Sequence, residues 1–378
     1  MRLSRKVFAA AAIGLISLCG LYALSDFPST SNPECDGHTM NYWLKRTDYV
    51  PTINLNMHGD GGWPQRETAF NTLAKIGAPA VPALTKILLN KDIKPDRRWK
   101  CAETIGAIGP PARSAAGALA AALTDRTFPE GQRYEIVVAI NKIGASGEQA
   151  PTLINYLKDR HVQRPMSDSL SLDLAQLFAI KALKNAGEAA RPGVPLLVEM
   201  LHDYQKAALD RDINLKSKLE KEHAVESDET IRAAIVETLG VLAAIDPQAI
   251  QAMEDAVLDS SGKVRVRAAV ACIKVGRNTT AMPILEVLST DENVVLRWEV
   301  VEALELLGAT KADLALPLLR KMLGDSNDET RWRAAAALGN LGRAAEPAIS
   351  DLQKLLNDKS GRVKEDAQEA IGKIESGK

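Results

Sequence analysis

The sequence predicts an all-α, right-handed solenoid of about eight helical-hairpin repeats with a C-terminal half-repeat. Three residue series predict it, and each keeps its own register. An acid closes the second helix of a unit at Asp92, Asp125, Asp159, Asp203, Asp259, Asp291, Asp325 and Asp358, with most steps 32 to 34 residues long. A glycine ends the first helix at Gly77, Gly109, Gly144, Gly187, Gly276, Gly308 and Gly342, with Ala243 as the substitute in the fifth copy. A basic residue stands eleven positions before each of these ends: Arg66, Arg98, Arg133, Arg232, Arg265, Arg297 and Arg331. The fourth copy has Gln176 there, and Lys364 holds the place in the final half-copy.

Residues 325–358 show why each unit is a pair of helices. Thr330, Ala334, Ala337, Leu338 and Leu341 recur at i, i+4, i+7 and i+8, one face of a first helix. Gly339 and Gly342 are expected to end it, because glycine accepts the left-handed backbone of a helix terminus. Pro347 then falls in the first turn of a second helix whose apolar face is Ile349, Leu352, Leu355 and Leu356. Asp358 closes the unit and can cap the next. Two such helices cannot bury both faces alone, so copies must stack. In the half-copy, Val363, Ala367, Ala370, Ile371 and Ile374 keep the phase.

Before the repeats, residues 1–25 read as an export signal. Arg2, Arg5 and Lys6 precede an uncharged, mostly apolar run from Val7 to Leu24, and Ala23-Leu24-Ser25 offers a cleavage site before Asp26. Residues 7–24 are also just long enough to span a bilayer as an uncleaved anchor. Lipidation at Cys19 is the weaker alternative, since Leu18 occupies a place that wants a small residue. Every version places the repeats outside the cytoplasm, by the basic flank. Residues 26–38 read as a linker and 39–65 as an N-terminal cap, with Met40, Trp43 and Leu44 covering the open end of the solenoid at 66–378. Residues 54–64 are a Gly-rich turn without a phosphate-binding pattern. Two insertions interrupt the spacing, at 160–171 and 204–228. The second carries helical spacing of Ala208, Leu209, Ile213, Leu215 and Leu219, enough to lengthen a helix or form another.

The order of acid, Arg, two small residues, Leu-Gly, spacer, Gly and Pro-started helix resembles the HEAT-like repeats first named for phycobilisome lyases, over about residues 60–376. A short Met/Leu-x-x-Trp-Leu segment before the repeats is similar to one found in exported bacterial HEAT proteins. The resemblance implies a fold used by scaffolds, regulators and a few enzymes.

Charge and cysteines narrow the function. With 47 basic and 48 acidic residues, nothing global attracts nucleic acid or anionic lipid. Second-helix positions Glu254, Asp255, Glu286, Lys321, Asp351 and Lys354 are of mixed sign and make no basic groove. Cys101 and Cys272 fall inside first helices as small core residues, and Cys35 is a lone thiol in the linker. None of His38, His58, His161, His202 and His223 is followed by Glu, so the His-Glu pairs of the HEAT-repeat hydroxylases are missing. No metal-ligand or nucleophile motif occurs, and no cofactor is expected. His202 with Asp203 reads as a helix-end contact.

Two candidate features remain. The arginine ladder is either an anion-binding stripe or structural, each arginine pairing with the acid closing the preceding unit, as Arg331 with Asp325 or Asp328. Trp99, Trp298 and Trp332 each stand ten residues before a helix-ending glycine, about 160° from the apolar stripe. They are expected to point outward as a partner-binding set, or to be covered by neighbouring helices. The expected role is an exported, non-catalytic scaffold binding a protein partner. The alternatives are an accessory subunit of an exported enzyme complex and a lyase-like enzyme.

Overall fold

The computed structural model describes residues 32–47, 63–144, 147–162, 170–211 and 218–377. The predicted signal or anchor at 1–25, residues 7–24 included, and most of the Gly-rich turn at 54–64 lie outside them. Among the described residues, no single helix is long and apolar enough to cross a membrane. The chain divides into two compact units, meeting at Ile143 and Gly144.

The first unit opens with two short antiparallel strands, β1 (Glu34–Cys35) and β2 (His38–Thr39), with Cys35 opposite His38. These residues correct the expectation of a linker to residue 38. The hairpin leads into α1 (Met40–Arg46), and Trp43 Nε1 donates to the Cys35 carbonyl at 2.9 Å, tying helix to strand. Met40, Trp43 and Leu44 are buried, and α1 packs on α2 (Trp63–Ile76). The first repeat helix therefore begins at Trp63, inside the stretch read as cap. Then follow α3 (Val81–Leu89), α4 (Pro95–Ile108), α5 (Ala116–Thr124) and α6 (Glu130–Ile143). Arg97 fastens the opening segment by donating to Thr47 Oγ1 at 2.9 Å and to the Leu44 carbonyl.

The second unit runs α7 (Ala150–Val162), α8 (Leu170–Ala186), α9 (Val194–Arg211), α10 (Lys218–Leu242), α11 (Pro247–Ala256), α12 (Gly262–Lys274) and α13 (Asn278–Leu288). It continues through α14 (Val294–Leu306), α15 (Ala312–Met322), α16 (Asp328–Asn340), α17 (Ile349–Leu355) and α18 (Gly361–Ser376). Both insertions lengthen repeat helices: 204–211 extends α9, 218–228 extends α10, and α7 runs on to Val162.

The repeat works as its spacing requires. Thr330, Ala334, Ala337 and Leu338 are wholly buried and Leu341 nearly so. Burial of one such leucine contributes about 1.5–3 kcal/mol. In α18 the five residues that kept the phase, from Val363 to Ile374, are buried as well. All seven helix-ending glycines have positive φ, for example 76° at Gly77 and 59° at Gly342. Ala243 does not, and the fifth copy turns differently. There Asp246 caps α11 by accepting from Gln248 N at 3.0 Å, with Pro247 at the first helical position.

Gly339 corrects another expectation, because it lies inside α16 and ends nothing. A β-carbon there would stand 2.8 Å from Ala370 Cα, and one at Gly106 would stand 2.8 Å from Ala139 Cα. At Gly106 and Gly339 first helices of successive repeats thus pass too close to admit a β-carbon.

Candidate functional site

The polar skeleton of four repeats is an arginine rung, at Arg98, Arg232, Arg297 and Arg331. Arg331, on α16, donates from Nε and Nη2 to the two carboxylate oxygens of Asp358, both at 2.8 Å, and from Nη1 to the Asp325 carbonyl at 2.9 Å. Arg297, on α14, repeats this with Asp325 at 2.8 and 2.9 Å and the Asp291 carbonyl at 2.8 Å. Arg232 grips Asp259 through two bonds of 3.1 Å, and Arg98 reaches Asp125 at 2.6 Å. The carboxylate therefore belongs to the acid closing the arginine's own unit. For Arg297 and Arg331 the preceding acid, to which the pairing was first assigned, supplies only its backbone carbonyl, so these two guanidinium forks bridge successive inter-repeat loops, whereas Arg98 reaches the Leu88 carbonyl in α3. The planar donors suit a bidentate carboxylate.

Nor does the acid cap the following helix. Asp325 accepts from Asn327 N at 2.8 Å, and Asn327 then caps α16 by accepting from Thr330 N at 3.0 Å. Burial raises the Asp125 carboxyl, but Arg98 together with the Thr127 N–H and hydroxyl outweigh it and hold the group at about 2. Arg331 and the Ser360 N–H likewise depress Asp358 against its partial burial.

The ladder is incomplete. Among the described residues, Arg66, Arg133 and Arg265 hold no carboxylate: Arg66 lies over Phe70, Arg133 donates to the Phe128 carbonyl, and Arg265 donates to the Asp259 and Ser260 carbonyls. Lys364 is exposed. In the fourth copy the buried Tyr204 hydroxyl donates to Gln176 Oε1. Asp203 sits within α9 rather than at a helix end and contacts His161 Nε2 at 3.0 Å, not His202.

The three tryptophans are half-buried, neither fully outward nor covered. Trp298 on α14 and Trp332 on α16 come together around one cation. The Arg333 guanidinium lies 4.9 Å from the Trp298 ring and 5.0 Å from the Trp332 ring, and Arg362 of α18 lies 4.6 Å from Trp332. Glu329 fixes Arg333 from below at 2.8 Å, and Asp366 holds Arg362 at 2.5 Å. Each such stack contributes about 0.5–1 kcal/mol where water has access. The Trp298 indole N–H is buried and finds no acceptor among the described residues. Helical-wheel reasoning missed these guanidiniums because two come from the next helix; the alternation Trp-Arg at 332–333 was the available signal.

Trp99 belongs to the other unit and has its own setting. Lys100 Nζ lies 5.4 Å from its ring and pairs with Glu67 at 3.0 Å and Glu103 at 2.7 Å. Burial lowers the Lys100 pKa, but these two carboxylates more than offset it and raise the value. Elsewhere, burial first and Glu254 second push the Cys272 thiol up to about 11, which keeps it an unreactive thiol at neutral pH. Among the described residues, no three His, Cys, Asp or Glu side chains gather where a metal ion could be held.

The stacked hairpins, closed by glycine and stitched by Arg–Asp rungs, agree with a family model of HEAT repeats that matches residues 281–372. Residues 281–372 are thus HEAT repeats by sequence, and the rest of the described chain shares their helical-hairpin fold. No curated protein matches its sequence. Among solved structures, importin beta is 14% identical, with 100% of this chain and 55% of that chain covered at a TM-score of 0.56. Kap95, in its complex with Nup1, is 12% identical, with 100% and 53% covered and a TM-score of 0.54. The CpcE–CpcF complex of phycocyanin lyase from Nostoc sp. is 16% identical, with 78% and 94% covered and a TM-score of 0.42. The chain spans about half the length of importin beta and Kap95. At these identities the likeness to importin beta and Kap95 shows the fold alone.

Proposed function

We propose that this HEAT-repeat chain is an exported, non-catalytic scaffold that binds a protein partner in the periplasm or, if residues 7–24 stay uncleaved, at the outer face of a membrane. The observation that carries the reading is the half-buried pair Trp298 and Trp332, held rigid by Arg333 on the side of the first helices. Aromatic and arginine side chains in fixed positions contribute binding energy with little ordering cost. The exposed Val295 and Leu306 of α14, on either side of Trp298 in sequence, extend the apolar area. Trp99 is a second, separate candidate. Export is supported by the basic, apolar and small-residue order of residues 1–25. Kap95 offers a precedent for the fold, being solved in complex with Nup1.

In-cell crosslinking followed by capture from the envelope fraction tests the proposal, with a Trp298→Ala/Trp332→Ala variant alongside. A single abundant partner, lost in the variant, is the expected result. Capture of no partner by the wild type, or an activity on a small molecule that the variant leaves intact, would overturn it.

A further inference from the structure

The partner surface proposed at Trp298 and Trp332 has an unfinished side, and the inference rests on that surface. Across the first helices of the last repeats, indole and guanidinium alternate in the order Trp298, Arg333, Trp332, Arg362. The series ends on a cation at Arg362 and begins on Trp298, which among the described residues has one stacked cation where Trp332 has two. Sequence explains the asymmetry. Trp332 is followed by Arg333, which stacks on it; Trp298 is followed by Glu299, which turns away to Arg267 at 3.0 Å. Among the described residues, Trp298 makes no second cation–π or ring contact.

One turn beyond Trp298 stands Glu302, exposed and without an ion pair or hydrogen bond among the described residues. Val295, Trp298, Glu302 and Leu306 fall on one face of α14, and Val295 and Leu306 are 52% and 53% exposed. A π face beside an unpaired carboxylate, flanked by exposed aliphatic groups, complements a cation with apolar neighbours.

We infer that Trp298 and Glu302 form a seat for an arginine or lysine side chain of a protein partner, with Val295 and Leu306 taking the apolar residues beside it. The incoming cation takes the place against Trp298 that Arg333 takes against Trp332, Arg333 itself already standing on the other side of Trp298. Arginine fits better than lysine, because its planar guanidinium stacks on the ring while its edge donates to the carboxylate.

The test uses the full chain labelled with 5-fluorotryptophan, the Trp298 resonance being assigned with Trp298→Phe. The probes are acetylated peptides alternating Leu with Arg, Leu with Lys, or Leu with Glu. The arginine peptide is expected to move the Trp298 resonance saturably, the lysine peptide less, and the glutamate peptide not at all. Glu302→Gln weakens binding about threefold to fivefold and Glu302→Lys removes it, with thermal melting unchanged in both. An arginine peptide that leaves the Trp298 resonance in place, or binds Glu302→Lys as well as the wild type, would overturn the seat. The two readings fail separately. An envelope partner captured equally by Glu302→Lys leaves the scaffold standing and removes the seat. Peptide binding at Trp298 with no captured partner does the reverse.

Discussion

In the eighth repeat the buried polar link is a charged arginine, Arg331, held between two successive loops; in the fourth it is a neutral Gln176 on α8 bonded to Tyr204 on α9. Both links are buried, so both must satisfy their polar atoms internally. The eighth repeat does so with a bidentate ion pair and two backbone carbonyls. Once Asp203 turns to His161, the fourth repeat has no carboxylate left for a cation, and a neutral pair suffices. The lengthened α9 compensates at its neighbour, where Gln205 adds a 3.0 Å bond to the Asp259 that Arg232 already holds. In the fourth unit the arginine is replaced while the acid, Asp203, stays and pairs elsewhere, and the interruption of the spacing coincides with this change in chemistry.

The comparison can be broken by unequal deletions. Arg331→Ala strands a buried Asp358 carboxylate and is expected to destabilise by about 3–5 kcal/mol, the cost of breaking a buried pair on one side. Gln176→Ala removes only the neutral bond to the Tyr204 hydroxyl, and about 0.5–1.5 kcal/mol is expected. Urea unfolding of the two variants checks the order, and equal losses would mean that the charge of the rung is incidental.

Acid separates the rungs in another way. Asp125 is held at about 2, below an unfolded value of about 4, so its contribution is present above pH 4. It is lost as pH falls through the folded value, amounting to about 2 kcal/mol between pH 4 and pH 2. Hydrogen exchange across that window should show opening at the Arg98–Asp125 rung, while the Tyr204–Gln176 link contributes no such dependence.

Two glycines of one helix pair give effects of opposite sign. Gly339→Ala drives a methyl into Ala370 and is expected to lower stability by about 1–3 kcal/mol. Gly372→Ala, in the same helix pair, meets nothing within 4 Å and should raise it by about 0.5–1 kcal/mol. Thermal melts of the two variants should move in opposite directions.

Much of this fold was legible because burial and backbone geometry are local properties of the repeat. The 3.6-residue period placed Ala334 and Leu338 in the core, and the need for positive φ marked Gly342. Longer-range features were not local. Arg331 lies six residues after Asp325 and 27 before Asp358, so sequence proximity pointed to the wrong carboxylate; only the return of the second helix brings Asp358 to the guanidinium. Gly339 resembled a terminator because a helix pattern does not reveal that Ala370 passes against it. For the tryptophans the sequence left outward and covered placements open for a similar reason, since Arg333 and Arg362 reach Trp298 and Trp332 from following helices.

The most direct test of the rung is a pair of double-mutant cycles read by urea unfolding, Arg331→Ala with Asp358→Ala and Arg331→Ala with Asp325→Ala. A coupling of about 2 kcal/mol or more is expected for Asp358, and within about 0.5 kcal/mol of zero for Asp325, whose carboxylate belongs to Arg297. Stronger coupling to Asp325 than to Asp358 would contradict the assignment of each arginine to the acid of its own repeat.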